Sequence, residues 1–205
     1  HYVTLVTDHV ERRIVWGKEG RSAETLSAFF DELGEEGRKR IQLVSMDLSG
    51  AYKKAVDDNV PHAEKVYDRF HVQALASKSL DETRRDEWNR LRVEFGRSSD
   101  EAKALKGLRW TLLRDGLSVD QAERVRLSEH QRDNARLYRA YLMKEELAVI
   151  LDGRQPNVAR RLLKKWCSWA VRSRLPAFAR TGRTIREHMD GIVAYIRHRI
   201  TNGLV

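Results

Sequence analysis

The sequence predicts an α/β fold whose strands all lie in the first third of the chain, and three observations predict it. Short alternating or β-branched runs occur at Tyr2 to Thr7, Arg13 to Gly17, Ile41 to Met46 and Ala63 to Tyr67, with amphipathic helical stretches between them. From His71 onward the apolar period is helical, and no further strand is needed. The charge divides at the same place. Residues 1–68 carry 10 Lys and Arg against 13 Asp and Glu, net −3, whereas residues 69–205 carry 29 against 17, net +12.

The elements follow in order. Tyr2 to Thr7 and Arg13 to Gly17 flank the connection 8–12 and predict an antiparallel hairpin. Ser22 is placed to cap a helix with Glu24 in its positive first turn, and Leu26, Phe29, Phe30 and Leu33 form one apolar face before Gly34 stops it. That face is expected to lie on the sheet. A charged loop over 35–40 leads to the strand ending at Met46, and Ser49 begins a helix carrying Tyr52, Ala55 and Val56 that ends before Pro61. After the strand ending at Tyr67, Val72, Leu75, Ala76 and Leu80 open a long helix reaching about Phe95. Further helices are expected over 103–114, over 119–127 with Ser118 as cap, and over 134–151, 158–174 and 185–199. Gly116, the turn 152–156, Pro176 and Gly182 act as breaks.

With 205 residues and 41% hydrophobic content, the chain can build a sizeable core. No apolar run predicts a membrane span or signal peptide, so the protein is read as intracellular. A single cysteine, Cys167, excludes an internal disulfide and a cysteine metal cluster and is assigned to a helix core. The Arg-rich basic excess after residue 68 predicts a polyanionic partner, nucleic acid, over the alternative of a merely solvated helical surface.

The sequence contains no Gly-rich phosphate loop, nucleophile elbow or HExxH zinc motif, and His71, His188 and His198 make no zinc spacing with a cysteine. What remains for chemistry is a pair of carboxylates, Asp47 and Asp68, each at the carboxyl end of a strand. There loops converge on the rim of an open sheet, and hard oxygen ligands can hold Mg²⁺ for phosphoryl transfer. A strand-end Asp before a helix is also a common cap, and Asp68 has Arg69 and His71 beside it to pair with. Arg160, Arg161, Lys164, Lys165, Arg172 and Arg174 are candidate DNA contacts. Trp166 and Trp169, three residues apart on one face, are assigned to core packing over base stacking.

Two stretches carry a resemblance: Val44-Ser45-Met46-Asp47-Leu48-Ser49-Gly50-Ala51-Tyr52, and Pro61 to Val72 with Tyr67-Asp68-Arg69-Phe70-His71. Leu80-Asp81-Glu82-Thr83-Arg84-Arg85, Lys106-Gly107-Leu108-Arg109-Trp110 and Thr201-Asn202-Gly203 extend it over essentially the whole chain. The chain resembles the DDE domain of bacterial insertion-sequence transposases of the ISL three group. That resemblance implies an RNase H-like mixed sheet with a large all-α insertion: residues 1–70 as the first part of the catalytic core, 71–183 as the insertion and 184–205 as the final core helix. It implies DNA strand cleavage and transfer by three carboxylates holding two Mg²⁺ (or Mn²⁺) about 4 Å apart. Its partners would be insertion-sequence ends and target DNA, in a homo-oligomer in the bacterial cytoplasm, with no membrane partner.

Asp47 matches the second acid of the family and is the expected metal ligand. The first acid lies on a strand before Tyr2 and the third, a Glu, follows the Thr-Asn-Gly motif, so the expectation is a central fragment, inactive alone, whose sheet lacks its first strand. Two half-sheets would then flank a slot of roughly 9–10 Å, since neighbouring strands lie about 4.8 Å apart. Asp8, in the hairpin turn, is a poor substitute for the first acid. The alternatives are a noncatalytic DNA-binding or accessory protein on the same scaffold and, further off, a helical interaction domain.

Overall fold

The computed structural model describes residues 1–96, 99–107, 112 and 134–200. They form a mixed α/β protein, mostly helical, with two small sheets: β1 (Val3–Asp8) pairs antiparallel with β2 (Arg13–Glu19), and β3 (Leu43–Met46) pairs parallel with β4 (Glu64–Tyr67). The α/β expectation is met. β1 does not pair with β3. The chain divides into two compact units: residues 1–72, 154–156 and 188–205, and residues 73–153 and 157–187.

In the first unit, the helix α1 (Ala23–Arg40) starts where Ser22 accepts the Thr25 N–H at 3.1 Å. Its apolar face meets Trp16 of β2, with the Trp16 and Phe29 rings 5.8 Å apart, while Leu26 and Phe30 are buried. Gly34 takes φ +73°, a left-handed conformation that costs a glycine little and breaks the helix as its sequence position predicts. The loop expected over 35–40 is instead a resumed helical segment. Lys39 bridges Glu35 and Glu36 one turn back at 2.8 and 3.0 Å, and Arg38 donates to the Phe30 carbonyl across the kink at 2.8 Å. Charge at helical spacing does not discriminate a loop from an exposed helical turn.

The helix α2 (Gly50–Asn59) packs on α1, joined by Arg38 to Asn59 at 3.2 Å and Asn59 to Ser27 at 3.2 Å. The strand β4 leads into α3 (Arg69–Phe95), whose first residues complete this unit together with α8 (Met189–His198). α8 lies against β4. A Cβ placed on Gly191 would run into the Tyr67 ring, and Arg197 and His198 both reach Glu64, at 2.9 and 2.8 Å.

The second unit is helical: most of α3, then α4 (Asp100–Gly107), α5 (Ala135–Asp152), α6 (Pro156–Arg172) and α7 (Pro176–Glu187). Asn134 caps α5 by accepting the Leu137 N–H at 2.9 Å and donates to the buried Glu87 of α3 at 3.1 Å; Arg136 also reaches Glu87, at 3.2 Å. Trp166 is buried with its indole N–H on the Met143 carbonyl at 2.9 Å, which makes it core, as its spacing with Trp169 predicts.

The helix expected over 185–199 is two helices, broken at His188, and Gly182 lies inside α7 rather than between helices. Its role is close approach. A Cβ there would stand 2.9 Å from the Ala170 Cβ and 3.2 Å from the Cys167 carbonyl oxygen, so the missing side chain lets α7 press on α6. The part of the 103–114 helix beyond Gly107, apart from Leu112, lies outside the described residues. So do the helix over 119–127 and the Leu108-Arg109-Trp110 and Thr201-Asn202-Gly203 motifs.

Candidate active site

Parallel pairing of β3 with β4 puts Met46 opposite Tyr67, so Asp47 and Asp68 both stand one residue beyond that last pair, at the carboxyl end of the two strands. Each carboxylate first satisfies backbone. Asp47 Oδ1 accepts the Ser49 N–H at 2.8 Å, and Asp68 Oδ1 accepts the Phe70 N–H at 2.7 Å, so each steadies the start of the helix that follows its strand. Ser49 holds the cap position of α2, but its hydroxyl makes no capping bond; Asp47 satisfies a donor there instead.

The two acids differ in access. Asp68 is 1% exposed, and its backbone N–H donates to the Met46 carbonyl at 3.0 Å. The Asp47 side chain is 21% exposed, and its second oxygen, Oδ2, lies 3.8 Å from Arg21 Nη2. His71, on the first turns of α3, is exposed.

Arg21 is the residue that reading the sequence missed. It follows Gly20, whose N–H donates to the Tyr2 carbonyl at 2.8 Å and whose carbonyl accepts from Thr4 at 2.8 Å, so β1 anchors the backbone that carries it. Its guanidinium lies over the Tyr2 ring, 5.4 Å from the centroid. Thr4 also contacts the Tyr52 hydroxyl at 2.9 Å, tying β1 to the helix that begins beyond Asp47. The only signal in the sequence is an Arg between the end of a strand and a helix cap, which does not say what it reaches.

Asp8 is the last residue of β1, paired with Arg13 at the mouth of the hairpin turn. Its carboxylate accepts the Val10 and Glu11 N–H groups at 2.8 and 3.1 Å, and these bonds, Glu11 first, hold its pKa below the usual Asp value. Such bonds favour the ionised form of an exposed hairpin residue.

A divalent cation would need more than this chain's described residues bring together. Asp47 fits as one oxygen ligand, with a partly exposed side chain and its Oδ2 beside Arg21. Among the described residues, however, no group of three or more His, Cys, Asp or Glu side chains is placed to hold a metal.

The candidate DNA contacts are in the second unit. Arg161, Lys164, Lys165 and Arg172 are exposed on α6, Arg160 is half-buried on the same helix, and the exposed Arg174 follows it with φ +61°. The Cys167 side chain is buried beside them, and burial pushes its thiol pKa up to about 11. Among the described residues, no helix is long and apolar enough to cross a membrane.

Comparison with known proteins places the chain. All of residues 1–205 match the DDE transposase family of the ISL3 group, described as transposase. The chain is 33% identical over 221 aligned residues to the transposase for insertion sequence element IS1557 of Mycobacterium tuberculosis. It is 32% identical over 205 residues to the transposase for insertion sequence element IS1001 of Bordetella parapertussis. In each case all of this chain and 50% of the relative are covered, so the chain spans about half the length of the curated relatives it matches. No solved structure matches it. Full-length coverage by the family and by relatives above 30% identity shows that the chain belongs to the ISL3 family of DDE transposases.

Proposed function

We propose that this chain is the central part of a DNA transposase, acting on insertion-sequence ends and target DNA by phosphoryl transfer, with Asp47 as a catalytic carboxylate. The observation that carries the reading is the position of Asp47. It lies at the carboxyl end of a parallel strand pair, on a partly exposed side chain with one oxygen fixed by the Ser49 N–H and the other beside Arg21. Rigid strands hold such an acid, and the backbone bond fixes its orientation before substrate arrives. Asp68, which is buried, is a positioning residue that starts α3.

In this reading the core is RNase H-like, built by residues 1–70 and 184–205, with 71–183 as its helical insertion. One further strand belongs between β1 and β3. β1 pairs with β2 along one edge only, and its other, unpaired edge supports a place for such a strand. Mg²⁺ or Mn²⁺ on Asp47 would polarise a phosphoryl oxygen and lower the pKa of a bound water. Its other carboxylates would come from the half of the relatives' length that this chain does not span, so the 205 residues alone are inactive. The working protein is a homo-oligomer in the bacterial cytoplasm, where its DNA is.

The test is Asp47→Asn in the full-length transposase, assayed for cleavage at the element's ends. Loss of at least about a thousandfold with unchanged circular dichroism is expected, because the isostere keeps the shape and removes the charge a metal needs. Cleavage that survives sinks the assignment. The second reading, a noncatalytic DNA-binding protein on the same scaffold, is favoured by one observation, the basic surface of α6; it would leave DNA binding as the only activity and Asp47 as a turn residue.

A further inference from the structure

Residues 156–186 hold nine Lys and Arg and not one Asp or Glu, and they are nearly all helix, α6 and α7. The two helices form one packed pair. The Trp166 and Phe178 rings lie 6.4 Å apart, and Gly182 brings the α7 backbone onto Ala170 and Cys167. The apolar sides of both helices are buried in that pairing and in the rest of the unit, which leaves the bases outside.

Arg161, Lys164, Lys165, Arg172, Arg183 and Arg186 are all exposed, and among the described residues none has a carboxylate within ion-pair distance. Arg180 differs, being paired with Glu82. Elsewhere in the same unit, exposed bases sit beside acids. On α3, Arg85 pairs with Asp81 at 3.2 Å and Arg90 with Glu94 at 2.7 Å, and on α4 Lys103 reaches Asp100 at 3.5 Å. A solvated helical surface is expected to look like α3, with signs interspersed. The α6 and α7 pair instead exposes this run of bases with a single exposed acid, Glu187 at the end of α7, an excess of one sign whose self-repulsion a polyanion removes.

From this we infer that the outer face of the α6–α7 pair is a docking surface for the phosphate backbone of duplex DNA, with Arg183 and Arg186 of α7 acting alongside Arg161, Lys164 and Lys165 of α6. It rests on the proposed DNA substrate and extends the contact surface from one helix to two. The α6 stripe from Arg161 to Arg172 is about 16 Å long at 1.5 Å per residue. Duplex DNA presents one charge per about 1.7 Å of axis, so roughly nine phosphate charges lie along that length. A stripe of Lys and Arg along a helix suits phosphate contacts, which position a duplex without reading its sequence.

The experiment is a salt titration of the full-length transposase on a fluorescent 20-base-pair duplex of arbitrary sequence, in EDTA, between 50 and 200 mM monovalent salt. Each phosphate contact contributes about 0.9 to the slope of log affinity against log salt. The variant Lys164→Gln/Lys165→Gln/Arg183→Gln/Arg186→Gln is expected to lower that slope by about 3 to 4. A charge-matched control on the other unit, Lys18→Gln/Lys39→Gln/Arg40→Gln/Lys54→Gln, should change it by less than about 1. If the quadruple variant loses its wild-type circular dichroism, the four single substitutions are read instead, each lowering the slope by about 0.9. An unchanged slope, an equal fall in the control, or no binding by the wild type at 50 mM salt overturns the inference. EDTA excludes metal-dependent cleavage, so this outcome is independent of whether Asp47 is catalytic.

Discussion

Asp47 and Asp68 stand opposite one another, one residue past the last paired positions of two parallel strands, yet one is reachable and the other is sealed. Asp68→Asn keeps an oxygen to accept the Phe70 N–H, so full-length protein carrying it should retain most of its cleavage activity. Asp68→Ala removes that cap and is expected to cost about 1–2 kcal/mol, read as a fall of about 2–8 °C in melting temperature. Loss of cleavage in Asp68→Asn equal to that in Asp47→Asn, with normal circular dichroism, would make Asp68 a metal ligand.

Arg21 and Asp47 are 3.8 Å apart with the guanidinium half-exposed, a geometry worth at most about 1 kcal/mol. Arg21→Gln should therefore leave the melting temperature nearly unchanged. If Asp47 binds a cation, removing a competing positive charge should lower the Mg²⁺ concentration for half-maximal cleavage by up to about fivefold, the equivalent of that energy. An unchanged Mg²⁺ midpoint would show that Arg21 does not compete with metal there.

Gly182→Ala puts a methyl group 2.9 Å from the Ala170 Cβ, inside any normal contact distance. Overpacking of this kind costs about 1–3 kcal/mol, and the urea midpoint should fall without a change in m value. Adding Ala170→Gly removes the closest clash and should restore part of the loss, but not all, because the Cys167 carbonyl still lies 3.2 Å away. No recovery in the double variant would mean that the strain lies elsewhere.

Cys167 is fully buried and its thiol pKa is raised from 9.0 to about 11 by desolvation, offset in part by the charge of Arg186. Its raised folded value means that its contribution to stability is whole below about pH 9 and is lost as pH climbs toward 11, where the unfolded chain has already released the proton. At pH 8 only about one thiol in a thousand is ionised, and modification by an aromatic disulfide reagent should be slow in the native chain and prompt in urea. Fast native modification at pH 8 would show that the α6–α7 seam opens readily.

The local features of this protein were legible because they are written in neighbouring residues. The hairpin of β1 and β2, the Ser22 cap, the break at Gly34 and the place of Asp47 at a strand end all follow from side-chain period and backbone preference over a few positions. The sequence already preferred Asp47, which matches the family's second acid, over Asp68 with Arg69 and His71 beside it. Packing added the difference in access, with Asp68 buried and the Asp47 side chain partly exposed.

The same holds for three further points. Gly182 reads as a break until Ala170 is seen against it, since a glycine that admits a neighbouring helix and a glycine that ends its own look alike in a string of letters. The acid-free run after Pro156 was present in the sequence, but whether its bases faced outward on two adjoining helices was a matter of which sides the core took. Arg21 reaches Asp47 across 26 positions because β1 anchors the Gly20 backbone, and no local pattern encodes that approach; long-range contact of this kind exists only once the chain has folded.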